Sequence, residues 1–572
     1  MSSKRAKSHP AVQFKEVPIV KGPLDHFEKM RPEVLASVVE KTFEGYCNSS
    51  NGNYDLILGQ ALYQERFRLK RFHANVFSKT RKRNDERLWR EVQAGLLRPS
   101  TEIARPQLLR KVLSHYSEEI GGHFDPAVYR VAVNLVPFGL SWMLNAASVK
   151  RFLPWDLTQS LESRMRIYGE VEHLKKLAQK GTILLVPTHQ SNLDSILIGY
   201  LIYLMQLPPF AYGAGLNLFS NPVLNYFMGN LGAYTVDRQK SNEVYKNVLK
   251  NYSAEILKRG VHSIFFPGGG RARSGAIETK VKLGLLGTAL DAQLDNHLAG
   301  APKPNVYVVP MTISFHFVLE AASLIEDYLA EAGKHRYIIM DDESWQPTKV
   351  ARFFWKFFSS QSAVTARIGR PLDVFGNFVD EEGRSLGPNG TVIDPKLWMT
   401  TCGQLRREPQ RDREYTKELG KKIVERFHRE NTILTSHLAA FAFFEILRRK
   451  YQDLDVYRFL RLSQAQRSMH YDEFLSKAEE YRRKLQELEE QRKLYLSEEL
   501  KAVSTEEWVK DGVRQLGLLH DSPVIRIQDG VIFTEDMNLL YYYRNRLSGY
   551  GLSLLAEGQI GPGKDDSKGF LV

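Results

Sequence analysis

A chain of 572 residues, 43% hydrophobic and 25% charged, has the make-up of an ordinary globular protein of about three domains. Its two cysteines, Cys47 and Cys402, stand in no metal-ligand spacing, which excludes a disulfide framework or a thiolate metal centre as the organising device. The surplus of 79 Lys plus Arg over 66 Asp plus Glu, a formal charge of +13, favours an anionic partner: nucleic acid, an anionic bilayer surface or a phosphorylated substrate.

The opening Met1-Ser-Ser-Lys-Arg-Ala-Lys7 is basic, but no apolar core follows it, so it does not read as a signal peptide. Residues 1–25 read as a disordered basic tail, and 26–160 as a helical N-terminal domain. The segment Pro32 to Leu113 is helical in pattern and heavily basic, above all from Arg66 to Arg90. The basic run at Lys79 lacks the interleaved aromatics of a single-strand binding surface, so it is read as a solvated helix face and nucleic acid is not expected. The longest apolar stretch, Val131 to Ala147, is interrupted by Asn134, Pro137 and Asn145, which argues against an ordinary transmembrane span. Two readings of it stay open: a core helix kinked near Pro137, which is preferred, or an interfacial helix in a membrane surface.

From 161 to 375 the pattern alternates. Met165–Lys180 reads as an amphipathic helix closed by Gly181. Strands follow at Thr182–Val186, near Phe210, at Tyr234–Val236, Val261–Phe266 and Val306–Phe315. Helices are expected at 193–207, 221–229, after a Ser241 cap, and over Lys280–Leu298. Strands alternating with helices predict an α/β fold, a mainly parallel mixed sheet covered by helices, with its functional loops at the strand ends. The basic-aromatic cluster Arg352-Phe-Phe-Trp-Lys-Phe-Phe358 reads as core or as a membrane-interface patch.

Residues 376–572 read as a mostly helical C-terminal domain with a β-hairpin. It opens on a Gly/Asp/Asn-rich linker that runs to Pro395. An apolar helix follows His437, which is read as a helix-start or packing residue, and an exposed antiparallel helix covers 474–488. Asp529-Gly530 between two β-rich runs signals the hairpin.

The chemistry concentrates between Gly181 and Gly284. A buried strand ends at Pro187 and delivers His189 into a loop, with Asp194 in the first turn of the next helix, where the dipole favours a carboxylate. Such a pair can act as a general base with its tautomer fixed by the acid. With 15 histidines in the chain, one His–Asp pair at this spacing is weak evidence alone. Downstream, Gly232-Ala-Tyr-Thr-Val-Asp-Arg238 and Phe265-Phe-Pro-Gly-Gly-Gly-Arg-Ala-Arg-Ser-Gly275 add Arg238, Arg271 and Arg273, permanent planar charges suited to phosphate. Gly268, Gly269 and Gly270 let backbone N–H groups approach an anion, and Lys282 adds a point charge. Val308-Val-Pro-Met311 completes the set.

In that order and at those separations the four blocks resemble the glycerolipid acyltransferase family of glycerol-3-phosphate and lysophosphatidate acyltransferases. Asn431-Thr-Ile-Leu-Thr and the Tyr-Tyr-Arg-Asn run ending at Asn545 resemble the long bacterial and mitochondrial-type glycerol-3-phosphate acyltransferases more weakly. The resemblance implies a phospholipid-biosynthetic enzyme on the cytoplasmic side of a membrane, peripheral or monotopic, in contact with an anionic membrane surface. It implies His189 as base, Asp194 as its support and arginines on the glycerol phosphate. It also implies direct transfer from acyl-CoA or acyl-carrier protein as co-substrate, with no cofactor or metal. One departure stands out: the usual loop reads Phe-x-Glu-Gly-x-Arg, and here Gly268 replaces the Glu. Acylation of the sn-1 hydroxyl of glycerol 3-phosphate is the favoured reading, with the same chemistry on lysophosphatidate or dihydroxyacetone phosphate as the alternative that the departure leaves open. A catalytically silent lipid-binding or scaffold protein of the same fold is the reading from another class.

Overall fold

The computed structural model describes residues 18–49, 53–71, 79–98, 104–134, 164–216, 222–332, 363–520 and 522–553. The cluster at Arg352–Phe358, and Val131–Ala147 from position 135 onward, lie outside them. Among the described residues no helix is long and apolar enough to cross a membrane.

The basic N-terminal segment forms four helices: α1 (Phe27–Ser49), α2 (Tyr54–Arg71), α3 (Lys79–Leu97) and α4 (Ala104–Ile120). Their apolar faces share one cluster with the helix α8 (Glu243–Lys258) and with Ala211 and Tyr234 of the sheet. The apolar runs of the central region become seven strands, β1 (Met165–Gly169), β2 (Thr182–Pro187), β3 (Ala211–Gly215), β4 (Ala233–Val236), β5 (Ser263–Ile264), β6 (Val306–Ser314) and β7 (Val364–Ile368). They lie in the order β1-β7-β6-β2-β5-β3-β4. The five from β6 to β4 are mutually parallel, while β7 runs antiparallel to β6 and carries β1 parallel to itself. The sheet is therefore mixed and mainly parallel, as the alternation implies. β2 and β6 are buried at every position, which is why they read as unbroken apolar runs rather than as alternating ones.

Between the strands run α5 (Val171–Ala178), α6 (Asp194–Leu204), α7 (Pro222–Asn230), α8, the single turn α9 (Leu283–Leu286) and α10 (Thr288–Leu298), with α11 (Ala321–Ala332) after β6. Several boundaries depart from the sequence reading. Met165–Gly169 is a strand, not the start of a helix: Met165 and Ile167 alternate inward with period two, and Gly169 at φ +90 ends the run where a Cβ would meet Ile368 O at 2.0 Å. The cap of α8 is Asn242, whose side chain accepts the Tyr245 N–H, rather than Ser241. Lys280–Leu298 is not one helix but two, parted at Gly287. The expected linker holds a three-stranded antiparallel meander of two-residue strands at Phe378–Val379, Ser385–Leu386 and Val392–Ile393, turned at Gly383 and Gly390, both with positive φ.

The C-terminal region packs on the sheet through α12 (Pro409–Arg429), α13 (Thr435–Lys450), α14 (Tyr471–Glu490), α15 (Thr505–Leu516) and α16 (Met537–Arg544). α13 is buried along almost its whole length and shares a core cluster with β2, β6 and β7. The hairpin forms at Asp529-Gly530, both in the left-handed region, and the strand at Ser468–His470 joins it. The two segments that resemble the long branch lie close together: Arg546, the residue after the Tyr-Tyr-Arg-Asn run, donates from Nε to Asn431 Oδ1 at 2.8 Å.

Candidate active site

Three loops leave the C-terminal ends of mutually parallel strands: 188–193 after β2, 265–282 after its neighbour β5, and 237–242 after β4, one strand further on. In open α/β sheets that edge is where ligands bind. His189 and Asp194 face each other across the first loop, with Nδ1 and Oδ2 2.9 Å apart. The same Oδ2 accepts the backbone N–H groups of Gln190 at 2.7 Å and Ser191 at 3.0 Å, and Asp194 is fully buried. With Nδ1 donating to that same oxygen, Nε2 keeps a lone pair that faces away from Asp194. Phe266 packs against the imidazole, ring centroids 4.4 Å apart, and excludes water from one side of it.

The backbone of His189 is gripped as firmly as its side chain. Its N–H donates to Glu278 Oε1 at 2.8 Å, and its carbonyl accepts the Ala272 N–H at 2.7 Å. Lys282 N–H closes the glycine loop on Pro267 O at 2.6 Å. Gly269 sits at φ +69 under the Lys282 stem, where a Cβ would stand 2.9 Å from Cγ. A second buried carboxylate, Glu320 just before α11, accepts Ser191 Oγ–H at 2.8 Å and the Asn192 N–H at 3.0 Å. Burial raises the pKa of both Glu278 and Glu320; the His189 N–H opposes this for Glu278, and Arg271 opposes it for Glu320.

The four expected cations divide. Arg271 lies 3.6 Å from Glu320, whereas Arg273 swings outward to an exposed ion pair with Glu331 at 2.5 Å. Arg238 makes no ion pair among the described residues; Asp237 instead caps its own loop through the Gln239 N–H. Arg238 Nη1 comes within 3.6 Å of where a Cβ on Gly270 would lie, so the guanidinium faces the glycine loop. Its pKa is lowered, first by burial and then by the like charge of Arg271. The loop that bears it is anchored by Lys240, whose ammonium is wholly buried against Asp85 Oδ2 at 3.1 Å and against Glu119. Two guanidiniums beside a glycine-rich loop, one of them with no acid among the described residues, offer a phosphate a charge-assisted grip.

The C-terminal region closes the site from behind. Asn545 Nδ2 donates to Ser274 O at 2.9 Å, and a Cβ on Gly275, at φ +80, would stand 2.2 Å from Tyr542 O. His437, buried with Nε2 donating to Phe315 O at 2.9 Å, has its pKa driven well below the ordinary value by burial and is a packing residue at the start of α13. Sequence reasoning passed over Glu278, Glu320 and Lys240. Each is a single charged residue outside any motif, and only for Glu320 was there a cue, a carboxylate just before a helix.

Residues 169–314 match the family model described as Acyltransferase. Among curated proteins, the chain is 28% identical over 226 residues to a glycerol-3-phosphate acyltransferase from Shewanella putrefaciens, covering 39% of this chain and 25% of that one. It is 34% identical over 188 residues to one from Pasteurella multocida, covering 32% of this chain and 22% of that one. The chain thus spans about a quarter of the length of the curated relatives it matches. Among solved structures it is similar to the 1-acyl-sn-glycerophosphate (LPA) acyltransferase from Thermotoga maritima, at 18% identity over 52% of this chain and 92% of that one, with a TM-score of 0.23 that carries no weight here.

Proposed function

We propose, for a chain that carries a glycerolipid acyltransferase-family domain, an O-acyltransferase that moves a fatty acyl group from acyl-CoA or acyl-carrier protein to the sn-1 hydroxyl of glycerol 3-phosphate. The observation that carries the reading is the pairing of an intact His189–Asp194 couple with a cation pocket in which Arg238 has no acid among the described residues. In the reaction, His189 Nε2 takes the hydroxyl proton as the alcohol oxygen attacks the thioester carbonyl. Asp194 steadies the imidazolium that forms. The imidazolium then returns the proton to the departing thiolate. No covalent enzyme intermediate and no cofactor is needed. Arg238 and Arg271 hold the acceptor phosphate, with Gly269 and Gly270 allowing close approach, and Arg273 and Lys282 contribute charge at the rim. The intact couple is also the reason to prefer an enzyme over a silent scaffold.

The test is purified full chain with labelled acyl-CoA and, separately, acyl-carrier protein, against glycerol 3-phosphate, dihydroxyacetone phosphate, lysophosphatidate and glycerol. Glycerol 3-phosphate is expected to be acylated far faster than glycerol. Equal rates on the two would remove the phosphate from the account, and a faster rate on lysophosphatidate would reassign the acceptor.

The proposed partner surface is an anionic membrane leaflet, held peripherally. Support comes from the charge of +13 and the lack, among the described residues, of a spanning helix. Protein bound to vesicles containing anionic lipid is expected to be released in large part by high salt, because surface charges are screened within about 3 Å at 1 M. Retention until detergent is added would point to an inserted segment instead.

A further inference from the structure

The glycine at 268 removes a carboxylate from the loop pattern that this sequence otherwise follows, yet the loop does not lack one. A Cβ built on Gly268 would lie 3.1 Å from Glu278 Cγ and 3.3 Å from Glu278 Oε1. The space that a side chain at 268 would enter is therefore already filled by the carboxyl arm of a residue ten positions later. That arm is partly buried, and its Oε1 holds the His189 N–H at 2.8 Å. The bond is backbone-directed and short in reach. It fixes where the His189 main chain sits, while Asp194 fixes the ring, so imidazole position is set from both ends.

We infer that Glu278 is a positioning residue for His189 and stands in for the side chain absent at 268. The inference rests on the reading of His189 as general base. Position 268 lies outside the left-handed region; with the Glu278 arm gone a Cβ there still meets Gly270 O at 3.2 Å, so a side chain enters with a shift of a few tenths of an ångström in that oxygen. This makes a reciprocal exchange the natural test.

Glu278→Ala, Gly268→Glu and the double variant are each assayed for kcat and for acceptor KM, and hydrogen exchange of the His189 amide is followed without substrate. Loss of a hydrogen bond to a charged acceptor at this point is expected to cut kcat about ten- to a hundredfold in Glu278→Ala. Acceptor KM should change little, because no phosphate-binding group is touched. The His189 amide should exchange faster. Gly268→Glu alone crowds two carboxyl arms into one space and should also lose activity. The double variant should recover about tenfold of the lost kcat, and the amide its protection, a non-additivity that two independent defects do not produce. Wild-type activity in Glu278→Ala, or a folded double variant no better than the single one in both kcat and exchange, would overturn the inference. Should Glu278→Ala not fold, the double variant decides: folded with a protected amide supports the exchange, unfolded overturns it. Because exchange is read without turnover, a wild-type chain that protects the amide yet transfers no acyl group refutes the enzyme reading and leaves the positional one standing.

Discussion

His189→Ala is expected to lose about 10²–10⁴ in kcat for acyl transfer, the usual cost of removing a general base, with melting temperature close to wild type. The ring is partly exposed and makes one side-chain hydrogen bond, to Asp194, so little of the fold hangs on it. Asp194→Asn is expected to fall in the same range, but with a stability loss as well. The Asp194 Oδ2 gathers three N–H donors, and an amide oxygen put in its place holds them more weakly. The amide nitrogen then takes the place of Oδ1, a buried atom with no hydrogen-bond partner among the described residues, and so becomes a buried donor without an acceptor there. Steady-state kinetics beside a thermal melt separates the two variants. Near-normal kcat in folded His189→Ala would sink the assignment of the base.

The parts of this architecture legible in the sequence are those in which one physical cause dominates a stretch of residues. β2 and β6 are recognisable because strands buried on both faces take mostly apolar side chains, and the polar Thr182, Thr312 and Ser314 are too few to break the run. The His189–Asp194 relation is recognisable because a strand end, a short loop and a helix start leave little room for other geometry. β1 was misread because five residues ending in a glycine carry too little periodicity to separate from the helix that follows. The meander at 378–393 was hidden for a similar reason: two-residue strands owe their pairing to turns and to the Asp373 carboxylate, which gathers the Phe375 and Asn377 N–H groups, not to a pattern of their own. Glu278 and Glu320 are illegible for a deeper reason. Their partners are backbone N–H groups of a loop 89 and 128 residues away, and every loop carries such groups whatever its sequence.

The cation pocket sets up the sharpest separation of function from stability. Arg238→Met keeps length and apolar volume but removes an exposed guanidinium that faces the glycine loop, feels the like charge of Arg271 and has no acid among the described residues. The like charge of Arg271 disfavours that cation in the empty site and no acid offsets it among the described residues, so its removal is expected to leave the melting temperature unchanged or to raise it. Arg271→Met differs in sign. Arg271 lies 3.6 Å from Glu320, and without it a fully buried carboxylate loses its nearest cation, so the melting temperature should fall. Both variants are expected to lose acceptor recognition. A charge-assisted contact to phosphate contributes about 1.5–3 kcal/mol, which at about 1.4 kcal/mol per decade is a loss of roughly ten- to a hundredfold in kcat/KM for glycerol 3-phosphate. Glycerol, which carries no phosphate, and acceptor-free hydrolysis of acyl-CoA should be spared by Arg238→Met. If hydrolysis falls as far as transfer in a stable Arg238→Met, the guanidinium serves the acyl donor or the oxyanion instead. A lowered melting temperature would mean that Arg238 is a structural cation whose acid lies beyond the described residues.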